Sequence, residues 1–187
     1  MSSKLDICNL ALGMVNAMPI GSLTEVSAEA ITVNMAYSMI LRAILEPHPW
    51  GFATKLQSLA ALDGEELGEF SYVYELPADC LKPQGTIHGL DEQPEFKVRG
   101  RKFYSDENPV MLEYTYLEEN TGAYSPTFVT ALATSIAAYV APRLGANKMQ
   151  SFLLQQSIAA LRTAKASDAN LNNKKSTANR TFVSVRS

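Results

Sequence analysis

Two histidines, two cysteines and one cluster of carboxylates are the groups of this 187-residue chain with chemistry to offer. His48 lies between Pro47 and Pro49, and His88 follows forty residues later in a stretch with strand character. Neither belongs to a His-Glu-x-x-His run or a paired-cysteine spacing, so no metal-ligand set and no cofactor is expected. His48 reads as a helix-end or packing residue rather than a general base. Cys8 and Cys80 are too few and too far apart for a disulfide framework, which suits expression in a reducing cytosol. Asp79, beside Cys80, disfavours its thiolate. No Gly-x-Ser-x-Gly elbow and no Gly-rich loop ending in Lys-Ser/Thr is present, so serine hydrolysis and phosphate cradling have no support. The sharper possibility is Asp63, Glu65, Glu66 and Glu69. Two such carboxylates form the acid and nucleophile of a glycosidase. The competing reading, a solvated acidic loop, is preferred because no sugar-stacking aromatics flank the cluster closely. The sequence therefore predicts no catalytic residue.

The elements that would carry these groups fall into three blocks. Leu5, Cys8, Leu12 and Val15 recur at helical spacing, and Pro19 and Gly21 follow; this predicts a first helix with one buried stripe. Ser27 is the expected N-cap of a second, with Glu29 in its first turn where the helix dipole favours an anion. Val33, Tyr37, Ile40, Leu41, Ile44 and Leu45 would face inward until Pro47 and Pro49 stop the helix. Trp50 and Phe52 are expected to wedge between helices, joining Leu41, Leu45 and Leu132 as structural core. No apolar run reaches the roughly 18 uninterrupted residues of a bilayer span. Met1–Asp6 lacks the layout of a signal peptide, so no membrane partner is expected.

From 63 to 125 helical periodicity fades, glycines appear and β-formers alternate. Strands are predicted at Thr86–Leu90, Glu95–Val98, Lys102–Tyr104 and Val110–Tyr116, with Gly100-Arg101 as a hairpin turn. This stretch reads as a small β-rich insertion, better suited to docking than to forming a core. After Pro126, Phe128, Leu132, Ile136 and Tyr139 line one stripe, with alanines between them for close helix approach. Pro142 ends or kinks that helix. A last helix from about Lys148 to Ala169 is expected to bury Phe152, Leu154, Ile158 and Leu161. Residues 170–187 read as a separate C-terminal arm, polar and basic up to Arg180 and then alternating as a strand.

Three stretches in this order carry a resemblance. "LALGMVNAMPIGSLTEVSAEAITVNMAYSMILRAILEPHPWGFATKLQSLAAL", running from Leu10 to Leu62, is followed by Tyr72-Val-Tyr74 leading into Leu76-Pro-Ala-Asp-Cys-Leu81, and then by "SPTFVTALATSIAAYVAPRL". Together they resemble the head-to-tail adaptor proteins of short-tailed bacteriophages, the tail tubular protein A-like, head-completion connector group. The resemblance spans most of residues 5–170. It implies a mainly α (α+β) protein: an antiparallel helical bundle over 1–169, the β-rich insertion at about 63–125, and an extended arm at 170–187. It also implies a structural virion protein, made in the host cytoplasm and placed at the head–tail junction. Such a protein is monomeric until it meets the portal, then forms a ring, twelvefold in the family. The ring extends the DNA channel, helps retain the genome before ejection, and offers a platform to the downstream nozzle or tail-tube protein. Double-stranded DNA would pass through without sequence recognition. The portal-binding candidates are Arg180, Thr181, Phe182, Val183, Ser184, Val185 and Arg186.

Charge fits opposed contacts better than DNA reading. Residues 61–126 hold fourteen acids against five bases, whereas 127–187 hold eight bases against one acid, Asp168. Opposite blocks in one chain suit head-to-tail association, with solvated faces as the plainer alternative. No DNA-reading motif accompanies the basic block, and the chain as a whole carries −3. The alternatives to the adaptor are a virion-associated peptidoglycan hydrolase and a neck or head-completion protein of a long-tailed phage.

Overall fold

The computed structural model describes residues 2–63, 68–87 and 94–181, with backbone alone for 172–181. The chain divides into two compact units, one formed by Met1–Ile44 with Glu118–Ser187 and the other by Leu45–Leu117.

The first unit is helical. α1 (Lys4–Met14) begins with a reciprocal cap: Asp6 N donates to Ser3 Oγ at 3.1 Å and Ser3 N donates to Asp6 Oδ2 at 2.8 Å. Two of the helix's orphan donors are thereby satisfied. Asn16, at φ 56°, then leaves the helical region, as a short polar side chain can. Asn9 pins the loop that follows, accepting from Ile20 N at 2.9 Å and donating to Ile20 O at 3.0 Å. α2 (Ala28–Leu45) is capped by Ser27, whose Oγ accepts from Ala30 N. Val33, Tyr37, Leu41, Ile44 and Leu45 are buried as expected. α2 also has the length and apolarity of a membrane span, with a mean hydropathy of 1.2. Its buried Ala30, Val33, Tyr37 and Leu41 recur at helical spacing, the pattern of a helix packed within protein.

α3 (Pro126–Val140) starts at Ser125, whose Oγ accepts from Phe128 N, with Pro126 where a proline costs no hydrogen bond. Phe128, Leu132 and Ile136 are buried together with Ala131, Ala133, Ala137 and Ala138. α4 (Gln150–Thr181) packs along α3 and extends past Ala169, so residues 170–181 are helical where an arm is expected. Its buried stripe is Leu153, Ser157 and Ala164. Phe152, Leu154 and Ile158 are 57%, 55% and 45% exposed, so the predicted core stripe of this helix is out of phase. The buried alanines of α3 allow a close helix approach, while on α4 Leu153, Ser157 and Ala164 share one face at i, i+4, i+11 spacing, with Phe152, Leu154 and Ile158 one residue round from it.

The second unit corrects the fold class. Its strands form two three-stranded antiparallel sheets, so the protein is α+β rather than a helical bundle carrying a small insertion. One sheet has the order β1 (Thr54–Leu59), β6 (Val110–Tyr116), β3 (Cys80–Thr86); the other has β2 (Tyr72–Glu75), β5 (Lys102–Ser105), β4 (Phe96–Arg99). β1 occupies a stretch assigned to the bundle from sequence, pairing Thr54 with Thr115 through to Leu59 with Val110. Residues 54–62 alone do not distinguish strand from helix; the partner strand does. β4, β5 and β6 lie where predicted, and Gly100, at φ 61°, makes the β4–β5 turn. β3 starts at Cys80, earlier than Thr86, and is an edge strand that accommodates Pro83 between register shifts. Residues 88–90 of that predicted strand lie outside the described residues.

Both sheets share one core of Leu59, Tyr74, Leu76, Phe103, Val110, Leu112 and Tyr114. Phe96 stacks on Phe103 with centroids 5.0 Å apart. A stretch predicted to be mainly a docking surface thus has a hydrophobic centre of its own.

Candidate functional site

Built from the residues upward, the groups with chemistry to offer are spread out rather than gathered. Cys8 is buried in α1, and burial pushes its thiol up to about 11. Cys80 at the start of β3 is likewise pushed up to about 11, by burial first, against the opposing pull of Arg101. Both are neutral thiols at pH 7 and poor nucleophiles. His48 sets its ring edge-on to Trp50, centroids 4.6 Å apart, and serves packing. His88, Glu65 and Glu66 lie outside the described residues.

Glu69 is on the surface and pairs with Lys97 at 2.7 Å, with Arg99 at 3.8 Å. The Lys97 hydrogen bond and charge hold its carboxyl below the usual range. A glycosidase acid needs the opposite shift. Glu69 does line an open concavity of about 690 Å³ with Phe70, Glu95, Phe96 and Asp106. Aromatics therefore do stand beside one member of the acid cluster, contrary to the sequence reading. Asp106 is already engaged, accepting from Ser71 N and Ser71 Oγ, each at 2.8 Å. Among the described residues no group of three or more His, Cys, Asp or Glu is placed to hold a metal ion.

A polar cluster in the β unit is more tightly built. Lys55 Nζ on β1 lies 2.8 Å from Asp79 Oδ2 and 3.7 Å from the centre of the Tyr116 ring. Tyr114 Oη lies 3.2 Å from Asp79 Oδ1 and 3.1 Å from Gln57 Oε1. Burial pulls the Asp79 carboxyl up, but the Lys55 ammonium and the Tyr114 hydroxyl outweigh it, and the carboxyl stays below the usual range. Burial, with Asp79 beside it, pushes the Tyr114 phenol up to about 12. These groups pin β1 and β6 to the turn preceding β3. They satisfy one another, and their role is structural.

No protein-family model matches this chain. No curated protein matches it significantly either.

What the structure adds is surface. Ile31, Met35 and Met39 form a second stripe on α2 at i, i+4, i+8 spacing, 53%, 73% and 45% exposed. Residues of α2, α3 and α4 converge on a groove of about 290 Å³, lined by Ile40, Ala138, Tyr139, Gln150, Leu154 and Ser157. The Arg143 guanidinium lies 4.3 Å from the centre of the Tyr139 ring, beside that groove. Another groove between α3 and α4, about 330 Å³, is lined in part by Thr130, Thr134 and Thr163. Their hydroxyls donate to carbonyls one turn back, at 3.0, 2.7 and 3.1 Å. An exposed apolar stripe of this kind is a candidate interaction surface. The α2 stripe was legible in the sequence once Val33, Tyr37 and Leu41 were assigned inward, because Ile31, Met35 and Met39 then have no inward place.

Of the predicted core residues, Trp50, Leu41, Leu45 and Leu132 are buried, while Phe52 is half-buried beside Trp50. Trp50 and Phe52 belong to the β unit, where Phe52 O accepts from Tyr116 Oη at 3.3 Å. Of the predicted portal-binding residues, Arg180 and Thr181 end α4, while Phe182, Val183, Ser184, Val185 and Arg186 lie outside the described residues.

Proposed function

We propose that this chain is a head-to-tail adaptor of a short-tailed phage, a structural virion protein that assembles as a ring on the portal. The observation that carries the reading is the order of its three sequence stretches: Leu10–Leu62, Tyr72–Leu81 and Ser125–Leu144. The apolar surface of α2 and α4 supports it, because an assembly subunit needs faces that are covered only by neighbours. In this role the ring continues the DNA channel, helps retain packaged DNA and receives the next tail component. Arg180–Arg186 grips the portal. Each arm alone is weak: ordering its backbone costs about 1–2 kcal/mol per residue. Burying Phe182, Val183 and Val185 returns about 1.5–3 kcal/mol each. Arms arrayed in a ring raise the effective concentration and bind together.

Native mass spectrometry of the protein alone, and mixed with the portal protein of the same phage, tests the reading. A monomer that becomes a stoichiometric ring only on the portal is expected, and deletion of 180–187 abolishes capture. A folded, full-length protein that never binds the portal overturns it.

A further inference from the structure

We infer that the groove among α2, α3 and α4 is a docking site for an amphipathic helix of a partner protein, one with carboxylates beside its apolar face. The shape of the groove and the sign of the charge around it select that occupant.

The groove is small, about 290 Å³, with an apolar centre: Ile40 from α2, Ala138 and Tyr139 from α3, Leu154 from α4. It has room for a few side chains, so an occupant lies over the helices and inserts anchors. Along α4 the apolar line runs on from Leu154 to Ile158, one turn away, and both are about half exposed. On α2 Met39, next to Ile40, is also about half exposed, and its thioether adapts to an irregular partner surface. A partner helix supplies anchors at i, i+4 and i+7 with its own backbone already hydrogen-bonded. An extended segment laid on helices would find no strand edge for its backbone.

Cations bracket the apolar centre. The Arg143 guanidinium lies 4.3 Å from the centre of the Tyr139 ring, and exposed Lys148 precedes Gln150, another residue of the groove. At the far end Arg162 follows Ile158 by one turn, and Lys165 falls at i+11 from Leu154, on the same side of α4. Local carboxylates do not offset them. Residues 125–167 hold these four bases and no acid, and residues 30–45 hold Arg42 and no acid; Glu29, Glu46 and Asp168 lie beyond those stretches. Among the described residues no carboxylate pairs with Arg143 or Lys148.

This combination separates the occupants. A nucleic acid uses the cations but leaves Leu154, Ile158 and Met39 unpaired with anything apolar. A bilayer is met by a convex apolar face, not by a groove. An acidic amphipathic helix uses both, its apolar face in the groove and its carboxylates on the rim, where charge fixes its register. The inference goes beyond the adaptor reading and uses no residue of the portal-gripping arm.

Selection of a displayed library of random peptides on the full-length protein tests it, with peptides of about 16 residues, long enough as a helix to reach the cations at either end. The enriched peptides are expected to repeat apolar residues at i, i+4 and i+7 with Asp or Glu beside them. Fluorescence anisotropy then follows one such synthetic peptide on the wild type and on variants that circular dichroism shows to be folded. Leu154→Asp, at an exposed position, should abolish binding. Arg143→Glu with Lys148→Glu should weaken it by about tenfold or more, and replacing the acids of the peptide with lysine should restore binding to that double variant. No enrichment, enriched peptides without acids, or binding indifferent to Leu154→Asp or to the charge reversal overturns the docking site. So does a DNA duplex, or a phosphatidylglycerol vesicle, that binds in place of the peptide and is lost in Leu154→Asp. Portal capture is a separate readout: capture without a groove-binding peptide sinks only the docking site, and a groove-binding peptide without capture sinks only the adaptor reading.

Discussion

The two units of this protein are packed differently. Leu45–Leu117 relies on large side chains: Tyr74, Phe103, Leu112 and Tyr114 are all but fully buried, with Phe96 stacked on Phe103. In Met1–Ile44 with Glu118–Ser187, α3 interleaves its large Phe128, Leu132 and Ile136 with small Ala131, Ala133 and Ala137, all fully buried. The β unit joins its strands through side-chain pins such as Lys55–Asp79–Tyr114. The helical unit confines much of its polar bonding to caps and to threonine hydroxyls turned back on their own helix. The first arrangement is vulnerable to subtraction and the second to addition. The helical unit also leaves Met35, Phe152 and Leu154 exposed, while Ile7, Leu12, Leu41, Phe128, Leu132 and Ile136 fill its own core.

Three substitutions break or sharpen this contrast. Phe103→Ala should cost about 3–5 kcal/mol, as large-to-small changes in full cores do. Its stacked partner Phe96 loses its support, and the urea-unfolding midpoint should fall accordingly. A loss below about 1 kcal/mol would show that the β unit collapses around the gap and is less tightly packed than it looks. Ala137→Leu in α3 should cost about 1–3 kcal/mol by overpacking the fully buried site, although it adds apolar area. A rise in melting temperature would contradict the close approach inferred for α3.

The smallest effect concerns pH. Asp79 has its carboxyl depressed in the folded state, so its contribution is present above the unfolded carboxylate range, near pH 4. That contribution is lost as pH falls through the lower folded value. Asp79→Asn should therefore flatten the acid limb of stability against pH below about pH 4, with little change in its shape between pH 6 and 8. Denaturation midpoints across that range give the answer; an unchanged acid limb would mean the ion pair is screened by its partial exposure.

Local chemistry in the chain was sufficient for several elements. Ser27 caps the helix it was expected to cap, and Gly100 makes the expected turn because its φ of 61° is open to glycine. Val110–Tyr116 is a strand with the predicted bounds, since alternating β-formers there have one face to bury. His48 was legible as a packing residue. The acid cluster was only partly so: Phe96, which stands beside Glu69, is brought there because β5 pairs with both β2 and β4.

The sequence by itself determined where helices begin, which turns are tight, how charge divides along the chain, and that most of α2 has an inward face. Only the tertiary structure decided the rest. Residues 54–59 became a strand because β6, far away in the chain, supplies the hydrogen bonds that a single strand lacks. α4 buries Leu153, Ser157 and Ala164 because these positions share the helix face that packs against protein, at i, i+4, i+11 spacing. Leu154 and Phe152 face outward because one residue either way turns a side chain about 100° round the helix. Counting apolar residues assigns the most apolar ones to the core; only the packing of the helix fixes which face is buried.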